Sequence, residues 1–178
     1  KLRQMVKDKK FGLIVMQDNP DPDGIAAAVA LKKLFNELGN VPCSIAHGGT
    51  VGRGENRALV RYLQLNLRSL EQIHPEDYDI ICMVDTQPGA GNNSLPGCLL
   101  PEIVIDHHPL RKLTRMVPLR DIRRDYGATA TILCEYLSEA EVVPDVPLAT
   151  ALLYAIRSDT QDLGRDACKA DITMFQRL

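Results

Sequence analysis

Short runs of consecutive apolar residues recur along the chain and predict the strands of a buried sheet. Three of these runs, at residues 13–16, 80–84 and 103–105, are rich in β-branched side chains and do not alternate with polar positions. Unbroken apolar runs are typical of strands that are buried on both faces, as in parallel sheets covered by helices. Two further strands are predicted at residues 41–46 and 117–122.

The segments between these runs have helical periodicity. Residues 24–38 place four apolar side chains on one face, Ala27, Leu31, Leu34 and Leu38. Gly39 is expected to follow the end of this helix, and Asp145 and Asp166 are expected to cap later ones. The other helices are predicted at residues 56–65, 128–138, 147–157 and from 167 onward. This alternation predicts a doubly wound α/β fold, with a mainly parallel sheet and helices on both faces.

Composition excludes several classes of protein. The 178 residues are 45% hydrophobic, which is enough for one domain with a real core. The net charge of −2 argues against a broad basic face for long duplex nucleic acid, and 4% aromatic residues argue against a base-stacking platform. The five cysteines form no Cys-x-x-Cys pair, which favours reduced thiols in a cytoplasmic protein. No apolar stretch is long enough for a membrane span.

Acidic residues and histidines follow the predicted strands. Residues 17–23 read Gln-Asp-Asn-Pro-Asp-Pro-Asp, Asp85 ends the second long run, and residues 106–108 read Asp-His-His. A further acid, Asp159, follows a predicted helix. Carboxyl ends of parallel strands meet at one edge, where converging carboxylates repel one another unless cations neutralise them. Oxygen ligands with one or two imidazoles suit Mn²⁺ or Mg²⁺ better than zinc.

Each of these residues also has a structural interpretation. Asp21 and Asp23 lie in a proline-rich loop where aspartate favours turns, and Asp85 would serve as a strand-end cap. The glycine-rich segment 48–54 has the wrong spacing for a dinucleotide site. Its Arg53 and the nearby Arg57 are candidate phosphate contacts, and a mobile surface loop is the alternative.

Four motifs in this order carry a family resemblance: Asn-Pro-Asp-Pro-Asp at 19–23, Val-Asp-Thr at 84–86, Asp-His-His-Pro at 106–109 and Ser-Asp-Thr-Gln-Asp at 158–162. They resemble the DHH phosphoesterase superfamily of RecJ-like proteins, and the first motif is most similar to the oligoribonuclease and pAp-phosphatase branch. The resemblance extends from about residue 11 to residue 171. It implies that residues 1–178 form one DHH domain, without the C-terminal substrate domain that members of this branch carry.

The resemblance also implies a site with two Mn²⁺ ions, with Mg²⁺ as the alternative. Asp85 would bridge the ions, and the remaining ligands would be Asp21 on one side and, on the other, Asp23, His107 and Asp159. His108 would contact the scissile phosphate or act as a general acid, and Asp106 would orient the two histidines. Gln17 stands where the family has histidine beside Asp21. Because an amide oxygen is a weaker ligand than imidazole, this side of the site is expected to bind metal more weakly.

The resulting functional hypothesis is a cytoplasmic phosphoesterase. Its partners would be small phosphorylated nucleotides or short single-stranded oligonucleotides. We expect it to bind neither long duplex nucleic acid nor a membrane. A homodimer is one candidate assembly. A pyrophosphatase-like or exopolyphosphatase-like hydrolase is one alternative. A catalytically impaired nucleotide-binding or regulatory domain is another, and Gln17 and the expected lack of a second domain motivate it.

Overall fold

Six parallel strands form one sheet. The structure, a computed structural model, describes all of residues 1–178. The strands are β1 (Gly12–Val15), β2 (Cys43–His47), β3 (Leu67–Ser69), β4 (Ile80–Val84), β5 (Ile103–Asp106) and β6 (Leu119–Ile122). They are ordered β3-β2-β1-β4-β5-β6, and every neighbouring pair is parallel. The predicted α/β class and the doubly wound parallel sheet are therefore confirmed.

Six α-helices accompany the sheet: α1 (Leu2–Val6), α2 (Pro22–Gly39), α3 (Gly54–Tyr62), α4 (Thr129–Glu139), α5 (Val146–Asp159) and α6 (Lys169–Arg177). Three 3₁₀ turns are interspersed with the strands, at Leu70–Gln72, Pro75–Asp77 and Leu113–Met116. Helix α1 and strand β3 were not predicted from the sequence, because neither is long enough to show a period. No helix combines the length and the apolar character that crossing a membrane requires.

The two faces of the sheet are covered differently. The larger hydrophobic cluster joins Ile14, Ile45 and Ile105 to residues of all six α-helices. The smaller cluster, on the opposite face, packs strand residues such as Leu13 and Met83 against 3₁₀ turns and loops. The prediction of helices on both faces is therefore correct for one face only, because 3₁₀ turns and loops cover the other. The connection from β4 to β5 is rich in proline and glycine, which disfavour a regular α-helix.

Two predicted helix caps are wrong by a residue or two. Helix α2 includes Gly39, and Asn40 adopts the left-handed conformation at its C-cap with φ 54°. Asparagine tolerates this conformation better than most residues. The N-cap of α6 is Cys168 rather than Asp166, because Asp171 reaches back to the backbone N–H of Cys168. The predicted cap of α5 is confirmed, since Asp145 accepts a hydrogen bond from the N–H of Leu148.

The strand order reverses between β1 and β4, so the connections that follow these two strands leave in opposite directions. This divergence opens a crevice at the carboxyl edge of an α/β sheet, where such folds bind ligands. The chain segment after β1 contains Asp21 and Asp23, and Asp85 follows β4 directly. The fold therefore places two of the predicted acidic motifs on the two sides of one crevice.

Candidate metal centre

Asp23 lies at the beginning of two helices. Asp21 caps α2 through a 3.1 Å hydrogen bond from the N–H of Gly24 to its Oδ1, and Asp23 follows in the first turn. The two carboxylate oxygens of Asp23 each accept a 2.7 Å hydrogen bond from the first turn of α4, from the backbone N–H groups of Thr129 and Ala130. Helix N-termini stabilise anions, so both helices favour a charged carboxylate here. Asp23 is nevertheless only 1% exposed.

Asp85 occupies the centre of the site. It follows β4 with a positive φ of 56°, a conformation that is costly for most residues and that aspartate tolerates better than most. Its Oδ1 accepts a 3.2 Å hydrogen bond from the hydroxyl of Thr129, and its Oδ2 accepts a longer one, of 3.4 Å, from the amide Nε2 of Gln17. Asp85 is 2% exposed. Gln17 and Thr129 therefore contact opposite oxygens of one buried carboxylate.

His107 presents an unpartnered nitrogen to three carboxylates. Its Nδ1 lies 3.0 Å from the carbonyl oxygen of Tyr126, and because a carbonyl only accepts, Nδ1 must donate. In the neutral ring Nε2 therefore carries a lone pair. This Nε2 lies 3.3 Å from Asp159, 3.7 Å from Asp85 and 4.0 Å from Asp23. It is buried and has no hydrogen-bond partner.

His108 is held on the open side of the cluster. Its Nδ1 lies 2.8 Å from Oδ1 of Asp106, which also accepts the backbone N–H of His108 at 3.2 Å. The His108 side chain is 52% exposed, whereas that of His107 is 15% exposed. The same Nδ1 lies 3.6 Å from Asp85. The two histidines thus have different surroundings, and Nε2 of His108 is left for a molecule that enters from solvent.

Burial changes the protonation of the cluster. Desolvation, followed by the charge of Asp159, raises the pKa of Asp23 to about 7 even though His107 opposes the change. Desolvation and the neighbouring aspartates raise the pKa of Asp85 well above its ordinary value, and desolvation likewise raises the pKa of Asp159. For Asp106 the desolvation is outweighed by hydrogen bonds from His108 and Gln87, which lower its pKa.

These residues fit a divalent cation. Ligand atoms of Asp23, His107 and Asp159 all lie within 4.8 Å of one another, as do those of Asp85, His107 and His108. A lone pair facing three carboxylates is repulsive unless a cation or a proton lies between them. Carboxylate oxygens with imidazole nitrogens are donors that Mn²⁺ accepts. The unpartnered Nε2 of His107 therefore indicates a metal ligand.

The predicted site residues have different outcomes. Three of the predicted acids and both histidines lie close together: Asp23, Asp85, Asp159, His107 and His108. Gln17 lies beside Asp85, as the alignment of the first motif requires. Asp21 adds its charge to the cluster, although its Oδ1 also caps α2. Arg53 and Arg57 are exposed on the loop before α3 and in its first turns, and no hydrogen bond or ion pair joins them to the carboxylates. Their role in substrate binding stays a prediction.

Three residues that contact the site were not predicted: Gln87, Tyr126 and Thr129. Tyr126 orients His107 through its backbone carbonyl, a contact that its side chain does not reveal in a sequence. Thr129 lies at the first position of α4, a helix that the sequence does predict. A hydroxyl at the start of a helix that follows the sheet is a signal that could have identified it.

Comparison with known proteins identifies the family. The sequence model described as "DHH family, N-terminal domain" matches residues 13–156. An uncharacterized protein of Methanocaldococcus jannaschii is 41% identical over 174 residues, which cover 96% of this chain and 35% of that protein. A probable manganese-dependent inorganic pyrophosphatase of Oceanobacillus iheyensis is 30% identical over 166 residues, covering 92% of this chain and 51% of that protein.

A solved structure confirms the fold. The crystal structure of an exopolyphosphatase-related protein from Bacteroides fragilis superposes with a TM-score of 0.73 at 12% identity, covering 98% of this chain and 53% of that one. The chain thus spans between about a third and a half of the length of these relatives. The assignment of residues 1–178 to one domain without a C-terminal substrate domain stays a prediction. By the match over residues 13–156 and the 41% identity to its archaeal relative, this chain belongs to the DHH family.

Proposed function

We propose that this protein is a manganese-dependent hydrolase of phosphate bonds. The observation that carries the proposal is the buried Nε2 of His107, which faces Asp23, Asp85 and Asp159 without a hydrogen-bond partner. Relatives that cover most of this chain at 26–30% identity are named probable manganese-dependent inorganic pyrophosphatases. Both observations support Mn²⁺ as the ion, which Asp23, Asp85, His107 and Asp159 would hold; that two ions bind is part of the proposal, and Asp85 lies at the centre of the residues that would hold them.

The side chains divide the chemical tasks among them. Bound Mn²⁺ would stabilise charge on the transferred phosphoryl group and activate the attacking water. His108 is exposed beside the cluster with its Nδ1 held by Asp106, so its Nε2 can contact a phosphate oxygen or donate a proton to the leaving oxygen. No serine, threonine or cysteine is needed as a nucleophile, and Thr129 is engaged as a donor to Asp85.

The substrate we propose is a phosphate ester of a small nucleotide or a short single-stranded oligonucleotide. The first motif, which is most similar to the oligoribonuclease and pAp-phosphatase branch, supports this class. A net charge of −2 argues against a long duplex as the substrate. Inorganic pyrophosphate is the second candidate, and the names of the relatives favour it.

The experiment combines metal binding with a substrate panel. Metal-free protein is titrated with Mn²⁺ while its Tm is followed, and the loaded protein is then offered pyrophosphate, tripolyphosphate, pAp and short oligoribonucleotides. We expect Mn²⁺ to raise the Tm by mass action and to support hydrolysis. Asp85→Asn should abolish both effects, because the central carboxylate contacts both sides of the site. Asp77→Asn is the matched control, since this exposed carboxylate lies before β4, away from the carboxyl edge.

Each outcome has a defined meaning. Hydrolysis of one substrate class by the wild type and not by Asp85→Asn supports the proposal and chooses between the two candidates. A Tm that millimolar Mn²⁺ leaves unchanged would overturn the metal site. If Mn²⁺ raises the Tm but none of the four kinds of substrate is hydrolysed, the regulatory alternative is favoured, in which the site binds a nucleotide without hydrolysing it.

A further inference from the structure

Gln87 is buried next to the site and uses every hydrogen-bonding atom of its side chain. It lies two residues after Asp85 and is 1% exposed. Its Nε2 donates to Oδ2 of Asp106 at 2.7 Å and to the carbonyl oxygens of His108 and Pro109 at 3.3 and 3.2 Å. Its Oε1 accepts from the backbone N–H of Arg111 and from the hydroxyl of Thr114, each at 2.8 Å.

These contacts connect one side chain to a whole loop. All partners of the Gln87 side chain belong to the segment from Asp106 to Thr114, which carries His108 at the exposed side of the site. The segment from 107 to 112 contains no helix or strand that would hold it by backbone hydrogen bonds. Gln87 therefore supplies bonds that regular secondary structure supplies elsewhere. Its carboxamide donates to Asp106 and accepts from Thr114 at the same time, which a carboxylate or an ammonium in its place could not do.

The bond to Asp106 reaches His108 in two steps. Asp106 is fully buried, and its two oxygens have different partners: Gln87 on Oδ2, and the ring and backbone N–H of His108 on Oδ1. The side-chain bond from Gln87 opposes rotation of the Asp106 carboxylate. Because Oδ1 is thereby directed at Nδ1 of His108, the tautomer and the ring orientation of His108 both depend on Gln87.

We propose that Gln87 is a positioning residue that holds His108 toward the substrate through Asp106. Its side chain makes no hydrogen bond to Asp23, Asp85 or Asp159, and all of its partners lie in the segment from Asp106 to Thr114. This inference rests on the proposed function, in which His108 contacts the phosphate. The two tasks at the site then belong to different residues. Asp23, His107 and Asp159 would hold the ion, and Gln87 would fix the orientation of His108.

The test uses three variants. Gln87→Met keeps the volume and removes all of the hydrogen bonds, and Gln87→Asn keeps the amide but is one methylene too short to reach Asp106. Thr114→Val is the matched control, because it removes one bond to Oε1 of Gln87 and leaves the bond to Asp106 in place. For each variant kcat, KM and the Mn²⁺ affinity are measured, together with the slowly exchanging Nδ1–H signal of His108 in ¹⁵N NMR spectra.

We expect both Gln87 variants to lower kcat by about 10- to 100-fold, the size of effect that a misplaced catalytic group produces. KM and the Mn²⁺ affinity should stay within about threefold of the wild type, since the loss concerns a group that acts in the transition state. The His108 ring signal should disappear in both variants. Thr114→Val should keep the signal and most of kcat, although its Tm should fall.

The outcomes distinguish this inference from the proposed function. Wild-type kcat and an intact ring signal in Gln87→Asn would overturn the positioning role, and so would a loss of Mn²⁺ affinity that parallels the loss of kcat. If the wild type hydrolyses nothing, the proposed function fails. The NMR signal then still decides whether Gln87 holds His108, because that measurement needs no turnover. Should Gln87→Met fail to fold, Gln87→Asn carries the test.

Discussion

Raising the pH should destabilise the metal-free protein through Asp23. The pKa of this carboxyl is raised from 3.8 to about 7, first by burial and then by the charge of Asp159. The folded state therefore binds the proton more tightly than the unfolded state does. Protonated Asp23 therefore stabilises the folded state fully below pH 3.8, and this stabilisation is lost as the pH rises through about 7. At ~1.4 kcal/mol per pKa unit, the whole shift corresponds to about 4 kcal/mol.

The neighbouring groups determine the pH interval for the measurement. Asp85 and Asp159 also have raised pKa values and titrate together with Asp23, so their contributions do not simply add. The pKa of Asp106 is lowered, and its contribution is lost only as the pH falls below the ordinary carboxyl range. Comparing pH 5 with pH 8 avoids that region. Over this interval Asp23 alone should account for about 3 kcal/mol.

The assay is urea denaturation in a chelator at pH 5 and pH 8, with wild type and Asp23→Asn compared. The wild type should lose free energy of unfolding at pH 8, and Asp23→Asn should lose about 3 kcal/mol less over the same interval. The raised pKa of His108 also reduces stability as the pH rises, but its main cause is the hydrogen bond with Asp106, which both proteins keep, and the charge of Asp23 is the last of its causes. The variant should be less stable at pH 5, because its amide faces the N–H of Thr129 or Ala130.

Manganese provides the second half of this test. At pH 8 the ionised cluster should bind Mn²⁺, and the wild type should regain the stability that it lost. At pH 5 the same concentration should have a smaller effect, since protons compete for the ligands. Equal pH dependence in wild type and Asp23→Asn would refute the reasoning, because it would show that Asp23 is already ionised at pH 5 in the folded protein.

Three further predictions concern other residues, Gln17, Asp171 and Arg53. Gln17→His should tighten the weaker of two Mn²⁺ binding events in isothermal titration and leave the event on the His107 side unchanged; identical titrations would place Gln17 outside the ligand set. Asp171→Asn should lower the free energy of unfolding by about 2–3 kcal/mol, because one of its buried acceptor oxygens becomes a donor; an unchanged urea midpoint would contradict this. Arg53→Ala should raise KM without changing Mn²⁺ affinity, and an unaltered KM would remove Arg53 from the substrate contacts.

Much of the fold could be predicted because its strands and helices have strong local signals. The apolar runs that became β1, β4 and β5 have no alternation, so both of their faces had to be buried. The periodic segments became α2 after β1, α3 after β2, and α4, α5 and α6 after β6. Strand β3 carried no such signal. It has three residues, none of them buried, and it forms only because β2 offers an unpaired edge. The cover of the second face was likewise decided by packing of loops and 3₁₀ turns.

The acids and histidines of the site were evident from the sequence, since each follows a strand or helix that the apolar pattern locates. Their chemistry was not, because it depends on distances between residues that are far apart along the chain. His107 lies 3.3 Å from Asp159, and Thr129 reaches Asp23 across 106 positions. The roles of Gln87 and Tyr126 arise from contacts with a loop and through a backbone carbonyl. The sequence determined which ligands are present, and the tertiary structure decided how strongly they are desolvated, because burial depends on what every other segment packs against.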